Sequence, residues 1–187
     1  MMRFENGNDA HEWPNDMTIR VSDGANLLDL LWLRHMAAGN AEPSLPPAAL
    51  PGEPVSSDDH RLVGTWEKLW KECLEHSRHV HELDPLAVAE HPELWAAPDI
   101  GAFADELGLD AGEGVRSWRG TPDFYNAERA VVEDVRVAWQ RGLRTVIELP
   151  LAGGYWRKLS AATLVVSSVT RRDVAGYSEA LRSFGRI

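Results

Sequence analysis

The apolar and polar positions change period several times between Val115 and Phe184, and each change predicts a different element. Phe124, Ala127, Val131, Val135 and Ala138 recur at spacings of three and four, with Trp139 beside them. That stripe predicts a long amphipathic helix. Thr121-Pro122-Asp123 supplies a cap, a proline and a carboxylate for its start, and Gly142 a residue able to end it.

Thr145 to Leu149 is rich in β-branched residues and stops at Pro150, which predicts a strand. Ala152-Gly153-Gly154 then reads as a hairpin turn that sets Glu148 opposite Lys158 on the returning strand. Thr163 to Thr170 is apolar on both faces at its start, as suits a central strand. Asp173 caps a last helix with the stripe Val174, Tyr177, Leu181 and Phe184. With Val115 to Trp118 as a first strand, the C-terminal part has the order β-α-β-β-α. The expected fold class is α+β, an open mixed sheet of three to four strands preceded by a helical N-terminal part.

Residues 1–16 show no periodicity and are expected to be a disordered arm. Met17 to Val21 alternates like a short edge strand, and the dense run Leu27, Leu28, Leu30, Leu31, Trp32, Leu33 predicts a helix buried on most sides or covering an interface. Residues 17–39 thus form an N-terminal strand and helix. Residues 40–59 carry five prolines and read as a linker or surface strap, leaving 60–187 as the main domain of what is expected to be one domain overall. Within it, Leu62, Trp66, Leu69, Trp70, Cys73, Ser77 and Val80 trace one face of a second strong helix, from His60 to Leu83. Short helical fragments follow over 86–98, and Asp99 caps another helix.

Composition adds compartment and charge. A single cysteine excludes an internal disulfide, and no apolar run approaches the length of a membrane span, so a soluble cytoplasmic protein is expected. Residues 1–113 carry 7 Lys/Arg against 22 Asp/Glu, and residues 114–187 carry 12 against 7, so a net charge of −10 hides a basic C-terminal part. The acidic part is expected to lie against the basic one. An overall acidic chain makes nucleic acid an unfavoured partner.

Three groups of residues are candidates for function. Glu72, His76 and His79 fall on one helix flank at i, i+4 and i+7, a spacing that can present a carboxylate and two imidazoles to zinc, iron or manganese. A further ligand would come from His91, Asp84 or His11, and the bound ion would support hydrolysis. Arg116, Arg119 and Thr121 stand where a strand would hand over to a helix N-terminus, a place for a phosphate or carboxylate. Leu27, Leu31, Trp32 and Trp156 are candidates for an interface, with Trp156 the best placed of the eight tryptophans to be exposed.

No nucleotide-binding loop and no G-x-S-x-G is present, and Cys73 reads as a packing thiol. Arg171-Arg172-Asp173 reads as solvated basic surface. The favoured function is a non-enzymatic protein-interaction module, with a protein partner or a second copy expected and no cofactor predicted. The alternatives are a metal-dependent hydrolase, for which a divalent metal is possible, and binding of a phosphorylated ligand or nucleic acid by the basic part.

Overall fold

The computed structural model describes residue 13 and residues 16–39, 41–53, 59–82, 97–119 and 126–185. A four-stranded sheet divides these residues into two cores. Its strands are β1 (Arg20–Ser22), β2 (Thr145–Leu149), β3 (Trp156–Lys158) and β4 (Thr163–Ser167), in the spatial order β1-β2-β4-β3. The first three positions run parallel, and β3 is antiparallel to β4. The protein is α+β with an open mixed sheet, as the patterns require.

Alternation along the central strands explains the layering, because successive side chains leave a strand on opposite faces. Ile147, Leu149 and Val165 point to a first core, built with α1 (Ala25–Ala37), α2 (His60–Glu82), α3 (Ile100–Glu106) and α4 (Gly112–Arg119). Val146, Leu164 and Val166 point to a second core, built with α5 (Ala127–Ala130), α6 (Val132–Gln140) and α8 (Val174–Ser183). Between β4 and α8 lies the short α7 (Ser168–Arg172), whose first turn is capped by the Ser167 hydroxyl accepting from Thr170 N. The acidic front of the chain therefore covers one face of the sheet, and the basic end supplies most of the other.

Helix α1 resolves its own ambiguity. Leu27, Leu28, Leu30, Leu31 and Leu33 are wholly inaccessible and Trp32 is nearly so, which makes Leu27, Leu31 and Trp32 core residues rather than surface ones. Arg34, at its end, holds the proline-rich segment 41–53 down as a strap. Its guanidinium donates to the carbonyls of Ala41, Leu45 and Pro46 at 2.8–3.0 Å and lies 5.7 Å over the Trp66 ring. Trp66 itself donates to Leu30 O and stacks on Trp70. The strap then crosses the end of β2, where Ala49 N donates to Pro150 O and Ala152 N to Pro47 O.

Four expectations change. Val115 to Trp118 is helical, part of α4, and the strand beside β2 comes instead from Arg20–Ser22 near the front of the chain. Val115 and Trp118 are spaced as helix neighbours, and both turn toward the first core. The hairpin between β2 and the returning strand does not form. The strand from Thr163 is inserted between them, so Glu148 lies opposite Val166, and Lys158 opposite Leu164. That strand also ends at Ser167 rather than Thr170, because its partner β2 ends at Leu149 before Pro150. The last stripe starts at Tyr177, since Val174 is exposed.

Other expectations meet the structure directly. The helix from His60, the caps at Asp99 and Asp173, and Gly142 at a positive φ of 109° are all present. The long helix is interrupted at Val131, but Val131, Val135 and Ala138 keep their buried stripe. Its expected start at Thr121 and the fragments over 86–96 lie outside the described residues, as does the arm over 1–16 apart from Trp13 and Asp16. Trp13 donates to Met17 O and packs against the second core. No helix among the described residues is long and apolar enough to cross a membrane.

The approach of α4 to α1 depends on Gly114. A Cβ there would stand 2.3 Å from Trp32 Cβ. Gly64, on the exposed side of α2, has open space around it. We therefore expect Gly114→Ala to lower stability by about 1–3 kcal/mol or more through overpacking, and Gly64→Ala to raise it by about 0.5–1 kcal/mol. Urea denaturation of the two variants checks both signs.

Candidate functional site

The carboxyl ends of parallel strands are where open sheets tend to place ligands, and here that end of β2 is closed by an ion network. Glu148 points from β2 toward the second core. An ionised carboxylate in that position needs a partner, and Arg171 on α7 supplies it through Nη1 at 2.7 Å. The same guanidinium grips Glu128 of α5 with two hydrogen bonds, from Nε at 3.0 Å and Nη2 at 2.7 Å, and Tyr177 donates its hydroxyl to Glu128. The three charged side chains are only 11%, 10% and 13% exposed. Burial lowers the Arg171 pKa, but Glu128 and Glu148 outweigh it and leave the guanidinium more firmly protonated than usual. Burial and Glu128 push the Tyr177 phenol well above its ordinary value, so it stays a donor.

Arg171 is thus not solvated surface. The signal was available in Glu148, a charge inside a strand otherwise apolar on both faces. Arg171, four residues beyond the neighbouring strand, was the cation within reach. Every group in the network satisfies another, so its role is to tie α5, α7 and α8 to the sheet.

Beside it, a shallow groove of about 430 Å³ runs between α5–α6 and α8, lined by Arg129, Val131, Asp134, Val174, Ser178 and Arg182. Two of its charges, Asp134 and Arg182, answer one another. Asp134 accepts from Ser178 Oγ and from Arg182 Nε at 2.8 Å. Burial raises the Asp134 carboxyl, and these two hydrogen bonds bring it back below the usual carboxylate range.

Glu72, His76 and His79 are all on α2, as the spacing requires. Glu72 is turned toward Lys68 at 3.8 Å, and His79 Nδ1 lies 2.9 Å from Glu75 O. Burial and neighbouring His79 lower the His76 pKa. Among the described residues no group of three or more His, Cys, Asp and Glu side chains is placed to hold a metal ion. Cys73, one turn away, is fully buried, and burial followed by the charges of Glu72 and Asp29 raises its thiol to about 12, which suits packing rather than attack.

The segment that carries Arg116 and Arg119 is helix, not strand. Arg116 sits within α4 and is paired with Asp110, Arg119 closes the same helix, and Thr121 lies outside the described residues. Helix α4 belongs to the first core, whereas α5 and α6, which carry Arg129 and Arg136, belong to the second.

Trp156 is placed as expected for exposure. It begins the edge strand β3, is 40% exposed, and is followed by the exposed Arg157 and Lys158. Trp156 and Lys158 pair with Val166 and Leu164, so their side chains share the second-core face, where Lys158 Nζ lies 5.1 Å from the Phe184 ring. Arg157 pairs with Val165 and takes the opposite face. Tyr155 O accepts from Ser167 N and Leu159 N donates to Thr163 O, so residues 155, 157 and 159 turn their backbone groups toward β4. The N–H and C=O groups of Trp156 and Lys158 consequently face outward. This is the point where an exposed large ring, two cations and open backbone groups coincide.

No family model, curated protein or solved structure matches the chain.

Removing the guanidinium should expose how much the buried network matters. Arg171→Ala is expected to cost about 3–5 kcal/mol, because two buried carboxylates lose their partner. In a Glu128→Gln/Glu148→Gln background the same change should cost less than half as much. Additive losses in the chemical-denaturation cycle would contradict the coupling.

Proposed function

We propose that this protein acts by binding another protein rather than by catalysis, and that β3 is the centre of its contact surface. The observation that carries the reading is Trp156, left 40% exposed on a sheet edge while Trp32, Trp66 and Trp70 are buried. Tryptophan and arginine dominate the energetics of protein interfaces, and here Trp156 adjoins Arg157. A short, charged edge is also how a sheet protects itself from random pairing, but an exposed indole works against that protection. The metal reading of Glu72, His76 and His79 and the anion reading of Arg116, Arg119 and Thr121 have less behind them, since Glu72 and His79 face local partners and Arg116 is paired with Asp110.

Affinity capture from the native host's extract, with wild type and Trp156→Ala compared side by side, tests the proposal. A specific protein retained by wild type should fall by roughly tenfold or more with the variant, as expected for a hot-spot aromatic. Circular dichroism should show the fold retained, because the ring is 40% exposed and belongs to neither buried cluster. Equal retention by both chains would contradict the role given to β3.

A further inference from the structure

We infer that β3 is extended by an acidic, extended segment of a partner protein, which adds to the sheet as a fifth strand. The inference rests on the interaction reading above and goes further by specifying the partner's chemistry and its mode of docking. Three features of the edge converge on it.

The first is the backbone. The outward N–H and C=O groups of Trp156 and Lys158 form two donor–acceptor sets about one strand residue-pair apart, the arrangement an added strand takes up. The second is charge. Lys158 and Arg157 present a cation on each face of the edge, and among the described residues neither has a carboxylate at ion-pair distance. Lys158 rests instead against the Phe184 ring. Arg157 lies near the Tyr155 phenol, whose pKa is raised by burial and drawn back by Arg157. The third is the exposed indole of Trp156, on the same face as Lys158.

Side chains directly opposite on adjacent strands interact, and opposite charges or aromatic and β-branched pairs are the favourable combinations. An antiparallel added strand meets Lys158 first, then Arg157, then Trp156. Its matching sequence is therefore two acidic residues followed by an aromatic or β-branched one. A second copy of this chain is a poorer occupant. Antiparallel pairing of two β3 strands centred on Arg157 would bring like charges face to face, which is destabilising.

The test uses the full-length protein and a fluorescently labelled octapeptide with Glu-Glu-Val at its centre. Two control peptides carry Lys-Lys-Val, or Glu-Glu-Val with alternate backbone nitrogens methylated so that they cannot donate. Fluorescence anisotropy should show the acidic peptide binding at least about tenfold more tightly than either control, and weakening by a similar factor with Trp156→Ala. Arg157→Glu with Lys158→Glu should reverse the preference toward the lysine peptide, and added salt should weaken binding.

Equal binding of the methylated peptide would overturn strand addition, because only charge would then be at work. If no peptide binds while capture from extract remains sensitive to Trp156→Ala, the acidic-strand inference falls and the interaction reading survives. If neither is seen, both fall. A dimer detected by light scattering and abolished by Trp156→Ala would make a second copy the occupant and overturn the inference.

Discussion

Two neighbouring parallel strands, β2 and β4, have side chains buried on both faces, and most of the architecture follows from that constraint. Val146, Ile147, Leu149, Leu164, Val165 and Val166 are all essentially inaccessible, and burying each contributes about 1.5–3 kcal/mol. Helices must therefore cover both sides, and the strand with the least polar sequence must stand in the middle. Exchanging β3 with β4 would force Arg157 and Lys158 between the two cores, where desolvating each charge costs several kcal/mol. The strand order β1-β2-β4-β3 is the arrangement that leaves WRK at the rim.

The same constraint makes Glu148 a problem and Arg171 its solution. A charge on a doubly covered strand is tolerated only with a matched partner, and Arg171 joins it to Glu128 and, through Glu128, to Tyr177. Sequence-distant helices are thereby fixed to the carboxyl end of an inner strand. Arg34 plays a parallel part for the front of the chain, with backbone carbonyls in place of carboxylates. In both cases one guanidinium ties together segments that are distant in the sequence.

Elements with an unambiguous period could be read from the residues alone: the helix from His60, the last helix after Asp173, the strand at Thr145 and the apolar strand at Thr163. Pairing was harder. Gly153-Gly154 looks like a hairpin turn, and nothing local reveals that a later, more apolar strand takes the place beside β2. Val115 to Trp118 has too few residues to choose between periods, and its packing on α1, allowed by Gly114, decides for helix. The exposure of Trp156 is legible in a ring that stands between Tyr155 and Arg157 after a glycine pair. The Arg171 network was missed because its members are 20 and 23 residues apart in sequence and meet only once the strands are ordered.

The division of the sheet into a sealed middle and an accessible rim links stability to the proposed function, and amide hydrogen exchange measures both at once. The account predicts the slowest exchange at Leu164, Val165 and Val166, slow exchange at Arg157, and fast exchange at its neighbours Trp156 and Lys158. Uniform protection across 156–158, or fast exchange at 164–166, would contradict it.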